Sequence, residues 1–130
     1  MALGGTNYHL RSSTFNDPWA SLEFTAVAIY TAGQIVTVGD ISGVVIGTVA
    51  VGDQVVINYQ AAKIVVPCVA VTSGNLADFA VGSRVYADVA NNEVTTVAGA
   101  LNLCGIVLVA PSAGDETVEI HWMGALGIVA

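Results

Sequence analysis

The side chains that could act as nucleophiles, bases or metal ligands are few in this chain and lie far apart. Two cysteines, Cys68 and Cys104, each lie inside an apolar run, and no Cys-x-x-Cys spacing occurs. A free cysteine in such surroundings behaves as a small buried hydrophobe. We therefore favour two buried thiols over a disulfide, and the spacing gives no indication of zinc binding.

The two histidines share no metal-ligand spacing. His121 lies in the alternating segment 118–122, in which Ile120 and Trp122 would point to one face and Glu119 and His121 to the other. This alternation predicts that His121 faces solvent, and no nucleophile is placed to partner it. A catalytic histidine is the alternative.

Carboxylates are the most frequent ionisable groups, and they cluster at predicted turns. Because aspartate favours turns, we predict capping and solvation rather than a glycosidase pair or a calcium loop. The only lysine, Lys63, belongs to no phosphate-binding motif, and no Gly-x-Ser-x-Gly elbow is present. The sequence thus predicts no catalytic, cofactor or metal site and no enzymatic activity. The carboxylates in question are Asp40, Asp53, Asp78, Asp88, Asp115 and Glu116.

The composition is apolar and acidic, which restricts the possible partners. Hydrophobic residues make up 55% of the 130 residues, charged residues 10%, and the net charge is -7. Arg11, Lys63 and Arg84 are the only fixed cations. They cannot neutralise a row of phosphates, so we expect no nucleic-acid partner and no anionic membrane surface. So little charge predicts oligomerisation or docking on a larger surface.

No segment has the length of a membrane span or the pattern of a signal peptide. The longest nearly apolar stretch, 43–52, contains three glycines and is shorter than the roughly 20 residues that a spanning helix needs. The first residues lack a basic region followed by an apolar one. We therefore expect synthesis in the cytoplasm of the producing cell and no membrane partner.

Short runs rich in Val and Ile, bounded by Gly, Asp or Asn, dominate the chain from Phe24 onward and are typical of strands. We predict an all-β fold, a small barrel or sandwich, with an extended N-terminal arm at 1–23 and a core domain at 24–130. The predicted strands are 24–30, 34–38, 43–50, 54–60, 63–71, 84–88, 93–97, 103–110 and 117–123.

An internal repeat supports this architecture. The segments 41–57 and 103–119 share a glycine two residues after their first aliphatic residue and a Gly-Asp pair nine residues further on. Related turns without aspartate occur around Gly33 and Gly82. Because glycine readily adopts positive φ at tight turns, the pattern predicts one β-turn-β unit used twice.

The predicted arm carries aromatic side chains but has no core of its own. Aromatic residues and arginine dominate the centres of protein interfaces. We therefore predict that Tyr8, Arg11, Phe15 and Trp19 bind a partner protein, with packing back onto the chain's own core as the alternative. The apolar tail 124–130 is either a last strand or part of a subunit interface.

The glycine and valine pattern of 31–55, followed by 81–88, 92–96 and 104–107, resembles a family of bacteriophage capsid decoration (cement) proteins. The resemblance covers about 24–122 and does not include the arm. It implies a small β-rich fold and a homotrimer on the outside of the expanded capsid. There it would clamp neighbouring subunits of the major capsid protein. The virion exterior is then the expected location, with synthesis in the host cytoplasm.

Two alternatives from other functional classes remain open on the sequence. One is a carbohydrate-binding or adhesive β-module, which would require exposed aromatic platforms. The other is a trimeric β-barrel hydrolase, which would require a histidine and carboxylates to converge in a cleft.

Overall fold

A computed structural model of the chain describes residues 20–124 and shows an all-β protein, as predicted. These residues contain two short 3-10 helices, Leu76–Phe79 and Val89–Asn91, and no α-helix. None of their helices has the length and apolarity that a membrane crossing requires. The nine strands are β1 Ser21–Thr25, β2 Ile35–Val38, β3 Ile41–Val45, β4 Gln54–Asn58, β5 Gln60–Pro67, β6 Arg84–Asp88, β7 Glu93–Thr95, β8 Asn102–Val109 and β9 Thr117–Met123.

The strands form two antiparallel sheets. Sheet 1 has the order β1-β4-β3-β2, and sheet 2 has the order β5-β9-β8-β6-β7. Removing β7 leaves the same order in both sheets, with β5, β6, β8 and β9 in the places of β1, β2, β3 and β4. The predicted internal repeat is therefore confirmed, and it extends to a duplicated four-stranded unit.

Equivalent turns precede equivalent strands in the two units. In each turn the amide of the fourth residue donates to the carbonyl of the first, at 3.0 or 3.1 Å. The third residue is always glycine with φ between 89° and 99°, which a residue with a side chain adopts only with strain. The four turns are 31–34, 50–53, 80–83 and 112–115.

The glycine amides of these turns also bond to equivalent strands. Before β2 and β6, Gly33 donates to Val45 at the end of β3, and Gly82 donates to Val107 in β8. The glycine amide before β4 donates instead to the residue that follows β1, and the glycine amide before β9 donates to the chain beyond β5. The repeated sequence thus encodes a repeated hydrogen-bond network.

A second glycine in each unit permits close packing within the sheet. A Cβ atom on Gly43 would lie 2.7 Å from the backbone oxygen of Asn58, and one on Gly105 would lie 2.5 Å from that of His121. Both positions follow a fully buried residue, Ser42 in one unit and Cys104 in the other. The third residue of each repeat must therefore be glycine for steric reasons.

The two sheets enclose cores of unequal size. The larger one lies mainly on the sheet 2 side, includes Trp122 and Phe79, and takes in Ile35 of β2, whereas the smaller one in sheet 1 has five buried residues. Side chains join the sheets: Trp122 Nε1 donates to Ser42 O at 2.9 Å, and Asn92 Oδ1 accepts from the Ile35 amide at 2.8 Å. These bonds give a hydrogen-bond partner to polar groups that would otherwise be unpaired at the junction between the sheets.

Sheet 2 curls so that its two edges meet. After β5 the chain crosses towards β7, where Cys68 forms a parallel bridge with Val94 and the Val69 amide donates to Val94 O at 3.0 Å. This crossing covers part of the edge of β7, and it ends β5 at Pro67 although the apolar sequence continues to Val71.

Candidate interaction surface

Both cysteines are buried free thiols, as predicted. Burial raises the pKa of Cys104 to about 12. Burial, and after it the negative charges of Glu93, Asp115 and Glu116, raises the pKa of Cys68 to about 11. The thiolate is the reactive form of cysteine. Both groups are therefore protonated at neutral pH and pack as apolar side chains.

The segment around His121 alternates as predicted. Ile120 and Trp122 are buried, whereas Glu119 and His121 are partly exposed on the opposite face. The ring Nδ1 of His121 lies 3.1 Å from Ala62 O, and Glu119 forms a long ion pair of 3.8 Å with the exposed Lys63. In the described part of the chain, no three His, Cys, Asp or Glu side chains are grouped to hold a metal ion.

Two of the predicted turn carboxylates cap turns in the structure. Asp115 Oδ2 accepts from the Ser112 amide at 2.9 Å, and Asp88 accepts from the backbone and side chain of Asn91. Burial, followed by the charge of Asp88, raises the pKa of Glu93. These contacts give the carboxylates a structural role at turns.

Two shallow clefts lie on either side of the 3-10 helix Val89–Asn91. One has a volume of about 550 Å³ and is bounded by 31–34 of sheet 1. The other has a volume of about 240 Å³ and is bounded by Thr37 and Gly39. Asp88 is the only ionisable side chain that lines either of these two clefts. Neither one brings together a histidine and carboxylates.

Exposed apolar side chains are the most prominent surface feature between residues 20 and 124. Single exposed aliphatic residues are common on protein surfaces, so adjacency and not number identifies a binding site. Twelve large hydrophobic residues are exposed: Val27, Ile29, Val38, Ile46, Val51, Val65, Leu76, Val81, Val89, Val97, Leu108 and Val109.

Four of these side chains lie on two adjacent loops, 26–33 and 46–53, which we call the loop pair. The Ala26 amide donates to Asp53 O at 2.8 Å, and Tyr30 and Val49 exchange both backbone hydrogen bonds. The Ala32 amide donates to the hydroxyl of Thr48 at 3.1 Å. The exposed side chains are Val27 at 82%, Ile29 at 69%, Ile46 at 47% and Val51 at 62%.

The loop pair is braced from below by the smaller core. The ring of Tyr30 packs edge-on against Phe24 with centroids 5.5 Å apart, and Tyr30 and Val49 both pack on the buried residues of sheet 1. Sequence reasoning extended the strands through 24–30 and 43–50 and so missed this surface. The sequence feature that could have indicated this surface is the absence of charged residues from 26–33 and 46–52.

The predicted arm residues Tyr8, Arg11, Phe15 and Trp19 lie outside the described residues. The structure does fix the point where both terminal segments begin. The Tyr59 amide donates to Ala20 O at 2.9 Å, and the Gly124 amide donates to Tyr59 O at 2.7 Å. Ala20 and Gly124, the first and last described residues, therefore both lie beside Tyr59, at the end of β1 opposite the loop pair.

Comparison with known proteins gives one match. The family model described as phage cement protein matches residues 17–122. No curated protein and no solved structure matches the chain. The matched segment contains β1 to β8 and all of β9 except its last residue, and so covers both copies of the duplicated unit. The chain belongs to the phage cement protein family.

Proposed function

We propose that the chain is a decoration protein that binds the outside of the expanded phage capsid as a homotrimer and clamps neighbouring subunits of the major capsid protein. Membership of the cement family carries a structural role associated with the phage capsid. The match over residues 17–122 is the observation on which the proposal depends.

The surface of the described residues supports a role in assembly. Twelve large hydrophobic residues are exposed on it, and four of them are grouped on the loop pair. A trimer would present each contact three times, so weak individual contacts would combine into durable attachment through effective concentration. Stabilisation of the shell would follow from bridging subunits rather than from any chemical step.

The arm supplies a second kind of attachment in this proposal. Nineteen residues precede Ala20, and an extended segment of that length reaches roughly 60 Å. Ordering such a segment has an entropic cost that a few large anchors must offset. Tyr8, Arg11, Phe15 and Trp19 are the anchors we propose, on the capsid or on a neighbouring copy of the chain.

Co-sedimentation with expanded, undecorated capsid shells tests the proposal. The full-length chain is compared with a variant that begins at Ala20. This variant removes the arm but keeps β1, whereas a start at Phe24 would delete three of the five residues of β1. Native mass spectrometry of both proteins measures the number of copies per assembly.

Saturable binding of trimers to expanded shells, weakened in the variant that begins at Ala20, is the expected result. Equal binding of the two proteins would remove the arm from the proposal. Failure of the full-length chain to bind expanded shells would overturn the decoration role and direct attention to the adhesive and hydrolytic alternatives.

A further inference from the structure

The loop pair combines exposed apolar side chains with a rigid base and almost no charge. We propose that it is the surface by which the chain seats on the capsid, and that its occupant is an uncharged, apolar surface of a capsid subunit. This inference rests on the decoration role proposed above and specifies the face of the molecule that performs it.

Low charge and adjacency together distinguish the loop pair. Its loops, 26–33 and 46–53, contain one charged side chain, Asp53, in a chain with a net charge of -7. The segment 94–114 also lacks charged residues, but it carries three exposed large apolar side chains, whereas the loop pair groups four on two hydrogen-bonded loops. The exposed Val81 of sheet 2 lies three residues from Asp78 on one side and three from Arg84 on the other. Interface centres are depleted in charged residues, so the loop pair fits such a centre better.

The size of the patch determines what kind of partner it fits. The four exposed aliphatic side chains of the loop pair together offer on the order of 300 Å² of apolar surface. A stable interface between two proteins buries about 800 Å² on each partner. The loop pair is too small to hold two copies together alone, but it suits one of several contacts made at once with a repeating shell.

The rigidity of the loop pair lowers the entropic cost of binding. The paired backbone bonds between Tyr30 and Val49, and the packing of Tyr30 on Phe24, hold the loops in place before any partner is present. A preorganised surface loses less conformational freedom on binding than a flexible one. For a contact of a few hundred Å², less of the free energy gained by burying apolar surface is then offset by the cost of ordering the loops.

Position separates this contact from the one proposed for the arm. Ala20, the first described residue, lies beside Tyr59, and the loop pair follows the other end of β1. Five residues of strand span about 17 Å. Two attachments at that separation can meet different parts of a shell, which is the geometry that a clamp requires.

A turn of the same sequence supplies a matched control for the experiment. Val51 and Val81 occupy the same place in two Ala-Val-Gly turns, with exposures of 62% and 67% and glycine φ angles of 93° and 91°. The test variant is Val27→Asn with Val51→Asn. The control variant is Val65→Asn with Val81→Asn, which changes two exposed valines outside the loop pair, one in β5 and one in the turn before β6.

Binding to expanded shells is measured by co-sedimentation, and the number of copies per assembly by native mass spectrometry. Urea unfolding checks stability, which should be unchanged because all four valines are exposed. We expect the test variant to bind about 10- to 100-fold more weakly than the unchanged chain, and the control variant to bind within about threefold of it.

Each other outcome has a separate meaning. Tight binding by the test variant, or equal losses in both variants, would overturn the assignment while the decoration role stands. A test variant that no longer assembles into the oligomer of the unchanged chain would show that the loop pair joins copies of the chain, which also overturns it. If the unchanged chain does not bind, the failure belongs to the proposed function.

Discussion

Replacement of Gly105 by alanine should strongly destabilise the fold. The new Cβ would lie 2.5 Å from the backbone oxygen of His121 and 3.0 Å from Cδ1 of Ile120. Relief of the first contact requires β9 to move by most of an ångström, and β9 is held on both sides by β5 and β8. Overpacking usually costs about 1–3 kcal/mol, and more where backbone must move. We expect a loss of about 3 kcal/mol in the free energy of unfolding.

The assay is urea unfolding followed by circular dichroism, with thermal unfolding as a second measurement. For a chain of this length a loss of 3 kcal/mol should lower Tm by about 10–15 °C. Gly47→Ala is the matched control, because its Cβ would meet nothing within 4 Å and its φ is not positive. Equal stabilities of Gly105→Ala and Gly47→Ala would refute the argument that close strand packing explains the repeated glycine.

Three further predictions concern a buried hydroxyl, an asparagine with positive φ and the two thiols. The fully buried hydroxyl of Ser42 has no hydrogen-bond partner among the described residues, so Ser42→Ala should raise the free energy of unfolding by about 1 kcal/mol. Cys104→Ser, which buries a hydroxyl at the equivalent place, should lower it; equal signs in urea titrations would contradict this. Asn92 has φ 53° and accepts from the Ile35 amide, so Asn92→Ala should cost about 2 kcal/mol and Asn92→Gly about half of that, measured in the same way. Both thiols have a pKa raised above 9.0, to about 11 for Cys68 and about 12 for Cys104. The stability that their protonated forms contribute is complete below pH 9 and is lost as the pH rises towards 12. Cys104→Ala should therefore lose less stability than the unchanged chain between pH 8 and 11, and an equal loss would contradict the assignment.

The number of strands and their approximate places in the sequence could be predicted because most of them are short runs rich in β-branched residues between turns that contain Gly, Asp or Asn. The ends of the strands could not be predicted where an apolar run continues past the last paired residue. At Val27 and Ile29 the chain has left β4 and forms the loop pair, although its composition is still that of a strand. A strand ends where the neighbouring strand stops pairing with it, and a single sequence does not show which residues pair.

The start of β1 was missed for a related reason. Ser21 and Glu23 resemble the polar segment before them, but Leu22 and Phe24 alternate with them and pack on the smaller core. A period of two over five residues was present and too short to distinguish from chance. The repeat, in contrast, was visible in the sequence. Four turns and two close contacts between strands each require glycine, so the same residue recurs at the same spacing.

The unequal cores of the duplicated units have a consequence for the motions of the molecule. The larger core has fourteen buried residues, of which thirteen lie at 61–122 and one, Ile35, belongs to sheet 1. The smaller core of sheet 1 has five, and only Tyr59 separates β4 from β5 along the chain. Regions with fewer buried apolar contacts open at lower free energy. Amide hydrogen exchange should therefore change from fast to slow across Tyr59. The sheet 1 half, which carries the loop pair, would then be the first to open, while the sheet 2 half remains folded.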